Sequence, residues 1–198
     1  MSALADLPEK TDGRRARAVA SRARILEAMV DLIQEGEIQP SAEAVALRAG
    51  VGVRTVFRLF NDVDGLRQGL QEVMDERLAP IYSEPVHGAL LERLDQLVAR
   101  RRVVFEKLAR PKAFADANRV QSPSLTAAHQ NFVRRQRELL LGHLEGVLVP
   151  APDLVEALDL TLSFDVWRRL REDQRLAPDD AERVMRAMVR AVVAGMQA

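Results

Sequence analysis

The chain contains no cysteine, which excludes disulfides, thiolate nucleophiles and cysteine-ligated zinc. Aromatic residues are scarce, with one Trp, one Tyr and six Phe in 198 residues, and this disfavours an aromatic-lined multidrug pocket. Glycine and proline are sparse, and no stretch alternates β-branched with polar residues as a half-buried strand would. No apolar run approaches the ~18 residues that a membrane helix needs, and the N-terminus is polar with no apolar signal core. A cytoplasmic protein with no membrane partner is expected. Net charge is also lacking, because 29 basic residues balance 29 acidic ones. Overall charge therefore says nothing for a nucleic acid partner, which requires only a local excess.

What the chain has is Ala, Leu, Arg and Val in quantity, a composition that suits helices. The length allows one or two domains with a proper core. Arginine outnumbers lysine 26 to 3, a bias spread over the whole chain, so only the position of each arginine is informative. Arg14 to Arg24 holds five arginines and no acid. It leads into Ile25, Ala28, Met29, Leu32 and Ile33, whose spacing marks a helix with one buried stripe, ended by Gly36. Ser41 is a good N-cap for a short second helix with Val45 and Ala46 inward, stopped at Gly50. Val53 to Phe60 is a third, with Val53, Val56, Phe57 and Phe60 inward and Arg54, Thr55 and Arg58 outward.

Asn61-Asp62 opens a fourth helix, and Pro80 and Pro85 break the pattern. A long helix from Gly88 is expected to stop at Pro111, followed by a short helix over 112–118 and a loop over 120–124. The run Arg100-Arg101-Arg102 within it is expected on a solvated face. Further helices are expected over 125–148, 153–172 and 178–197. The last is apolar around much of its circumference, which suggests packing on a second subunit. The fold class is thus all-α: an arm over 1–13, a three-helix helix-turn-helix domain over 14–66, a motif expected to enter the DNA major groove, and a helical domain over 67–198 expected to dimerise and to hold any ligand.

The first third resembles the TetR family of bacterial transcriptional regulators. The resemblance rests on Arg22-Ala23-Arg24-Ile25-Leu26 with Ala28, Leu32 and Gly36, on Ser41, on Val45-Ala46, on the turn Ala49-Gly50-Val51, and on Thr55-Val56-Phe57 with Phe60. It implies a homodimeric regulator, more often a repressor, that reads a palindromic operator in double-stranded DNA and is released by a small-molecule effector. Two positions depart from it. The family commonly has a Tyr at the place of Phe57, whose hydroxyl bonds a phosphate, and a Lys at the place of Val63, which here stands between Asp62 and Asp64.

The candidate DNA contacts are Arg15, Arg17, Arg24, Ser41, Gly52, Val53, Arg54, Thr55, Phe57 and Arg58. Arginine can donate two hydrogen bonds to guanine, and the start of a helix can meet a phosphate. The candidate effector pocket is Phe105, Phe132, Gln136, His143, Thr161 and Trp167, chosen as a few polar groups among apolar ones. His143 also reads as an ordinary core histidine. The candidate dimer face is Leu158, Leu162, Val184, Met188, Ala191, Val192 and Gly195. The three histidines form no i, i+4 pair, so no metal and no cofactor is expected. No nucleophile elbow, P-loop or dinucleotide fingerprint occurs, which speaks against an enzyme. The alternative is a helical protein-interaction module with a weakened DNA-binding domain.

Overall fold

The computed structural model describes residues 9–149 and 151–195, and every described element is helical. The helices are α1 (Glu9–Gln34), α2 (Ala42–Ala49), α3 (Val53–Phe60), α4 (Val63–Tyr82), α5 (Leu90–Asn118), α6 (Pro123–Leu144), α7 (Pro152–Thr161), α8 (Phe164–Arg168) and α9 (Pro178–Gly195). Residues 1–8 of the expected arm lie outside the described residues, and Glu9 to Gly13 belong to α1. No helix among the described residues is long and apolar enough to cross a membrane. Two compact units divide the chain at Met74/Asp75 rather than at 66/67, and residues 110–126 belong with the first unit.

The first unit is closed by local chemistry that its sequence spells out. Gly36 adopts φ 104 after α1, and its N–H donates to the Ile33 carbonyl at 3.0 Å. The Ser41 Oγ accepts from the Ala44 N–H at 3.1 Å and caps α2. Gly50 ends α2 at φ 66, the left-handed conformation that a side chain would resist, and the Val51 N–H reaches back to the Ala46 carbonyl at 3.0 Å. The core takes Ile25, Met29 and Ile33 from α1, Val45 and Ala46 from α2, Val56 and Phe60 from α3, and Leu66 and Leu70 from α4. Phe114 and Leu125 complete it. Phe114 explains why α5 does not stop at Pro111. Proline removes one helix hydrogen bond, but the residues beyond it are anchored. The buried Asn118 donates through Nδ2 to the Ile38 and Phe114 carbonyls, both at 2.9 Å, and its Oδ1 accepts from Arg67 at 3.0 Å. Tertiary packing overrides the local breaker, so the expected break and short helix at 112–118 are replaced by one continuous helix.

Asp64 ties the start of α4 to the start of α6. It accepts from the Ser122 hydroxyl, from the Ser124 hydroxyl at 3.0 Å and from the Ser124 N–H at 3.3 Å. Burial pushes its carboxyl up, but the bonds from Ser122 and Ser124 outweigh that and hold it below the usual range.

The second unit packs Leu94, Leu97, Val98 and Phe105 of α5 against Leu140 and Leu144 of α6, Leu154 and Leu158 of α7, and Met185, Val189 and Val193 of α9. Phe105, Phe132, Phe164 and Trp167 form one aromatic cluster, with Phe105 edge-on to Phe164 at 5.3 Å between ring centroids. The helix expected over 153–172 is broken at Leu162-Ser163, where the Ser163 Oγ accepts from the Val166 N–H at 3.2 Å and starts α8. One π-helical turn, Arg169–Asp173, follows. Pro80 also fails to end its helix, since α4 continues to Tyr82. His143 is buried at 2% exposure, and its Nδ1 donates to the Leu139 carbonyl at 2.7 Å. Burial pushes its ring pKa down, and Arg100, Arg101 and Arg93 nearby add to that.

Two outcomes follow from these titrating groups. Asp64→Ala should lower the urea unfolding free energy by about 1.5–3 kcal/mol at neutral pH, the scale of hydrogen bonds to a charged group. Because the folded pKa of Asp64 is depressed, that contribution exists above the carboxylate range and vanishes as pH falls through it, so variant and parent converge in acid. For His143 the folded state resists a proton that the unfolded chain accepts near pH ~6.5. The parent should therefore lose stability as pH falls below about 6.5, and His143→Gln should flatten that fall in the urea midpoint against pH. A parent curve that is level there, or a fall that His143→Gln leaves unchanged, overturns this reading.

Candidate nucleic-acid interface

α2, the turn at Gly50 and α3 form the helix-turn-helix that the spacing predicts. Val56 and Phe60 are the buried residues of α3, with Val53 and Leu59 partly buried beside them. This corrects the expected stripe, which had Phe57 inward and left Leu59 unassigned. The Phe57 side chain is 40% exposed and shares the open side of α3 with Arg54 and Arg58. Thr55 is half-buried and Gly52 exposed. Gly52 has extended backbone and supplies no side-chain cap, so the first N–H groups of α3 have no side-chain acceptor. Ser41 is exposed but its hydroxyl already caps α2.

Arg54 and Arg58 have no carboxylate partner among the described residues. That is unusual here, because neighbouring arginines are engaged. Arg48 makes two hydrogen bonds to Glu35, at 2.9 and 2.7 Å. Arg22 bonds Glu72 at 2.9 Å and lies 4.5 Å over the Phe60 ring, so it leaves the basic run and braces the unit. Of the remaining arginines, Arg14 and Arg15 are exposed on α1, Arg17 donates only to the Gly13 carbonyl, and Arg24 only to Ser21 at 3.4 Å. Val63, at the start of α4, is 41% exposed, and the adjacent Asp62 Oδ1 accepts from the Gly65 N–H at 2.7 Å. Asp62 is thus a helix cap, and Asp64 is turned to the two serines. The surface offers cations, a helix start and one apolar ring, a set suited to phosphates and base edges.

The other candidate residues divide. Phe105, Phe132 and Trp167 belong to the aromatic cluster, and the Trp167 Nε1–H already donates to Glu106 at 3.0 Å. Thr161 is buried and lines no described cavity with them. Gln136 and His143 do meet, at a cavity of about 10 Å³ that they share with Tyr82, Leu97, Arg100, Arg101, Val104 and Leu139. Sequence reasoning missed Tyr82 and Arg101 here. The signal existed, since Arg101 falls on the same stripe of α5 as Leu94, Leu97, Val98, Val104, Phe105 and Leu108. The triple arginine is not a solvated face. Arg100 donates to the Pro85 carbonyl at 2.6 Å, Arg102 pairs with Glu182 at 2.6 Å and Asp179 at 2.5 Å, and Arg101 is buried.

For the dimer face, Leu158 and Leu162 must be withdrawn, because both are fully buried in the core of their own unit. Val184 and Val192 pack partly on that core, and Met188 is half-buried. Ala191 and Gly195 are exposed on α9, and Leu160 of α7 is 68% exposed.

No protein-family model and no curated protein sequence matches the chain. Solved structures do. A transcriptional regulator from Rhodococcus sp. Rha1 superposes with a TM-score of 0.67 at 21% identity, over 88% of this chain and 96% of that one. A TetR-family transcriptional regulator from Streptomyces coelicolor gives 0.66 at 19%, over 88% and 79%. The multidrug binding protein EbrR, complexed with imidazole, gives 0.57 at 19%, over 84% and 88%. The nine α-helices described over 9–149 and 151–195, with the helix-turn-helix at α2 and α3, follow the fold of the TetR-family regulators.

Proposed function

We propose that this protein is a TetR-family transcriptional regulator that inserts α3 into the DNA major groove. The observation that carries the reading is the open face of α3, where Arg54, Phe57 and Arg58 stand together without internal partners in a chain whose other arginines are largely paired. Arg54 and Arg58 take base edges or phosphates, and Phe57 lies against a sugar or a thymine methyl where a hydroxyl would bond phosphate. Gly52 and Val53 offer the helix start, and Arg15, Arg17 and Arg24 on α1 add phosphate contacts. The shared fold with transcriptional regulators supports this assignment.

The regulator works as a homodimer, joined through the exposed small residues of α9 and through Leu160 of α7. Two-fold symmetry then requires a palindromic operator read by two copies of α3 about 34–36 Å apart or a multiple of that. It represses, and a small effector bound in the second unit releases it. For that, the effector must bind one of two conformations better than the other. That a protein of this fold is solved with a small molecule bound supports the effector.

Fragments of genomic DNA selected by the purified protein should be enriched in a palindrome. No enrichment at all would favour the alternative of a helical interaction module and sink the regulator reading. On the selected operator, Arg54→Ala and Arg58→Ala should each cost about 1–3 kcal/mol and relax preference at one base position if they read bases. Arg15→Ala with Arg17→Ala should instead weaken all DNA alike and reduce the slope of log affinity against log salt by about one to two. An unchanged slope removes α1 from the interface.

A further inference from the structure

Arg101 is 2% exposed and sits at a core position of α5. Its guanidinium donates to the Leu162 carbonyl at the end of α7 and, at 2.7 Å, to the Gln136 carbonyl. The C-terminal end of α7 offsets part of its charge. Among the described residues, no carboxylate is bonded to it. Asp159 acts on it only through space and is held by Arg137 at 3.4 Å. Burial pushes the pKa of Arg101 down to about 10, which still leaves it cationic at neutral pH. A buried guanidinium with no carboxylate in contact is costly, and an apolar residue in its place would usually be as stable or more so. The charge therefore has a use other than holding the fold.

The unpartnered atoms around it indicate the use. Arg101 Nε, Gln136 Oε1 and His143 Nε2 are buried without a hydrogen-bond partner, and all three residues line the same cavity. Tyr82 lines it too, and its hydroxyl accepts from Gln136 Nε2 at 3.1 Å, which leaves the phenol proton to donate. Arg100 is the other charged lining residue and pairs outside the cavity with Glu84 at 3.5 Å, so Arg101 is the lining cation without a carboxylate in contact among the described residues. Leu97, Val104 and Leu139 supply its apolar side.

We propose that this cavity is the effector site and that its ligand is a small organic carboxylate, seated on Arg101 and Tyr82 with a neighbouring hydroxyl on His143. The carboxylate accepts from the Arg101 Nε–H and the Tyr82 O–H, a charge-assisted arrangement. Neutral His143, whose Nδ1 donates to Leu139, offers Nε2 as an acceptor, which fits a hydroxyl on the same molecule. Water could satisfy the hydrogen bonds, but it brings no negative charge. At about 10 Å³ the cavity has room for roughly one water, so a carboxylate binds an expanded form of the unit. The role as effector rests on the regulator reading above; the carboxylate chemistry does not.

The full chain should be titrated with mandelate and lactate, and with mandelamide and lactamide as neutral counterparts, by calorimetry and thermal melting. The acids should bind and raise the melting temperature, and the amides should not. Arg101→Met should weaken mandelate by about ten- to a hundredfold, the scale of one or two hydrogen bonds to a charged group. Gln136→Glu supplies the counter-ion from the chain itself. It should melt higher than the parent without ligand and lose mandelate binding, which keeps the test open should Arg101→Met not fold. Equal shifts from acids and amides, no binding of either acid, or a lower melting temperature in Gln136→Glu each overturn the proposal. Operator binding is measured on the same preparation. Arg101-dependent mandelate binding without DNA binding keeps the site and removes the regulator, whereas DNA binding without any acid binding does the reverse.

Discussion

Eight residues of helix do not hold themselves in water, and α3 is eight residues long. Its existence depends on Val56 and Phe60 entering the core built by α1, α2 and α4. Those two anchors also set the rotation of α3, and rotation is what decides its function. Each residue turns the helix by about 100°, so choosing Leu59 rather than Phe57 as the flanking contact moves a whole side chain from core to surface. The capping of α2, the left-handed Gly50 and the ring of Phe60 under Arg22 all serve to hold that one angle. The face that results carries Arg54, Phe57 and Arg58.

Where structure follows from chemistry within a few residues, it was legible. Ser41, Gly36 and Gly50 end or begin helices as their side chains or lack of one dictate. Where the deciding contact is distant in sequence, it was not. Pro80 and Pro111 read as breakers, yet α5 runs through Pro111 because Asn118 and Phe114 are fastened to partners far along the chain. Leu158 and Leu162 read equally well as an outer face or an inner one, since periodicity gives a stripe but not what covers it. The same blindness applied to α9, where the buried residues recur every four and the exposed alanines lie between them.

The arginine excess shows how composition hides position. In the second unit most arginines are spoken for: Arg102 by Glu182 and Asp179, Arg186 and Arg190 by Asp95, Arg137 by Glu156, and Arg171 by Glu106. These exposed or half-exposed pairs each contribute little to stability. They matter as a background of satisfied charge, against which two exceptions stand out. One is the exposed set on α1 and the α3 face, open to solvent, where an unpaired arginine costs nothing. The other is Arg101, closed in the core, where it costs a great deal.

A cost of that kind is informative because the rest of the unit is so consistent. Its apolar stripes meet, its aromatic rings pack tilted or edge to face, and the indole N–H of its one Trp has found an acceptor. Natural sequences break such consistency mainly where function requires it. Three buried polar atoms without partners, gathered at one small cavity and one of them on a guanidinium that no carboxylate contacts among the described residues, are such a break. Apolar residues at Arg101, Gln136 and His143 would close the cavity and remove the defect. Keeping it leaves the unit less stable than its core allows, and a molecule that brought the missing charge would stabilise it.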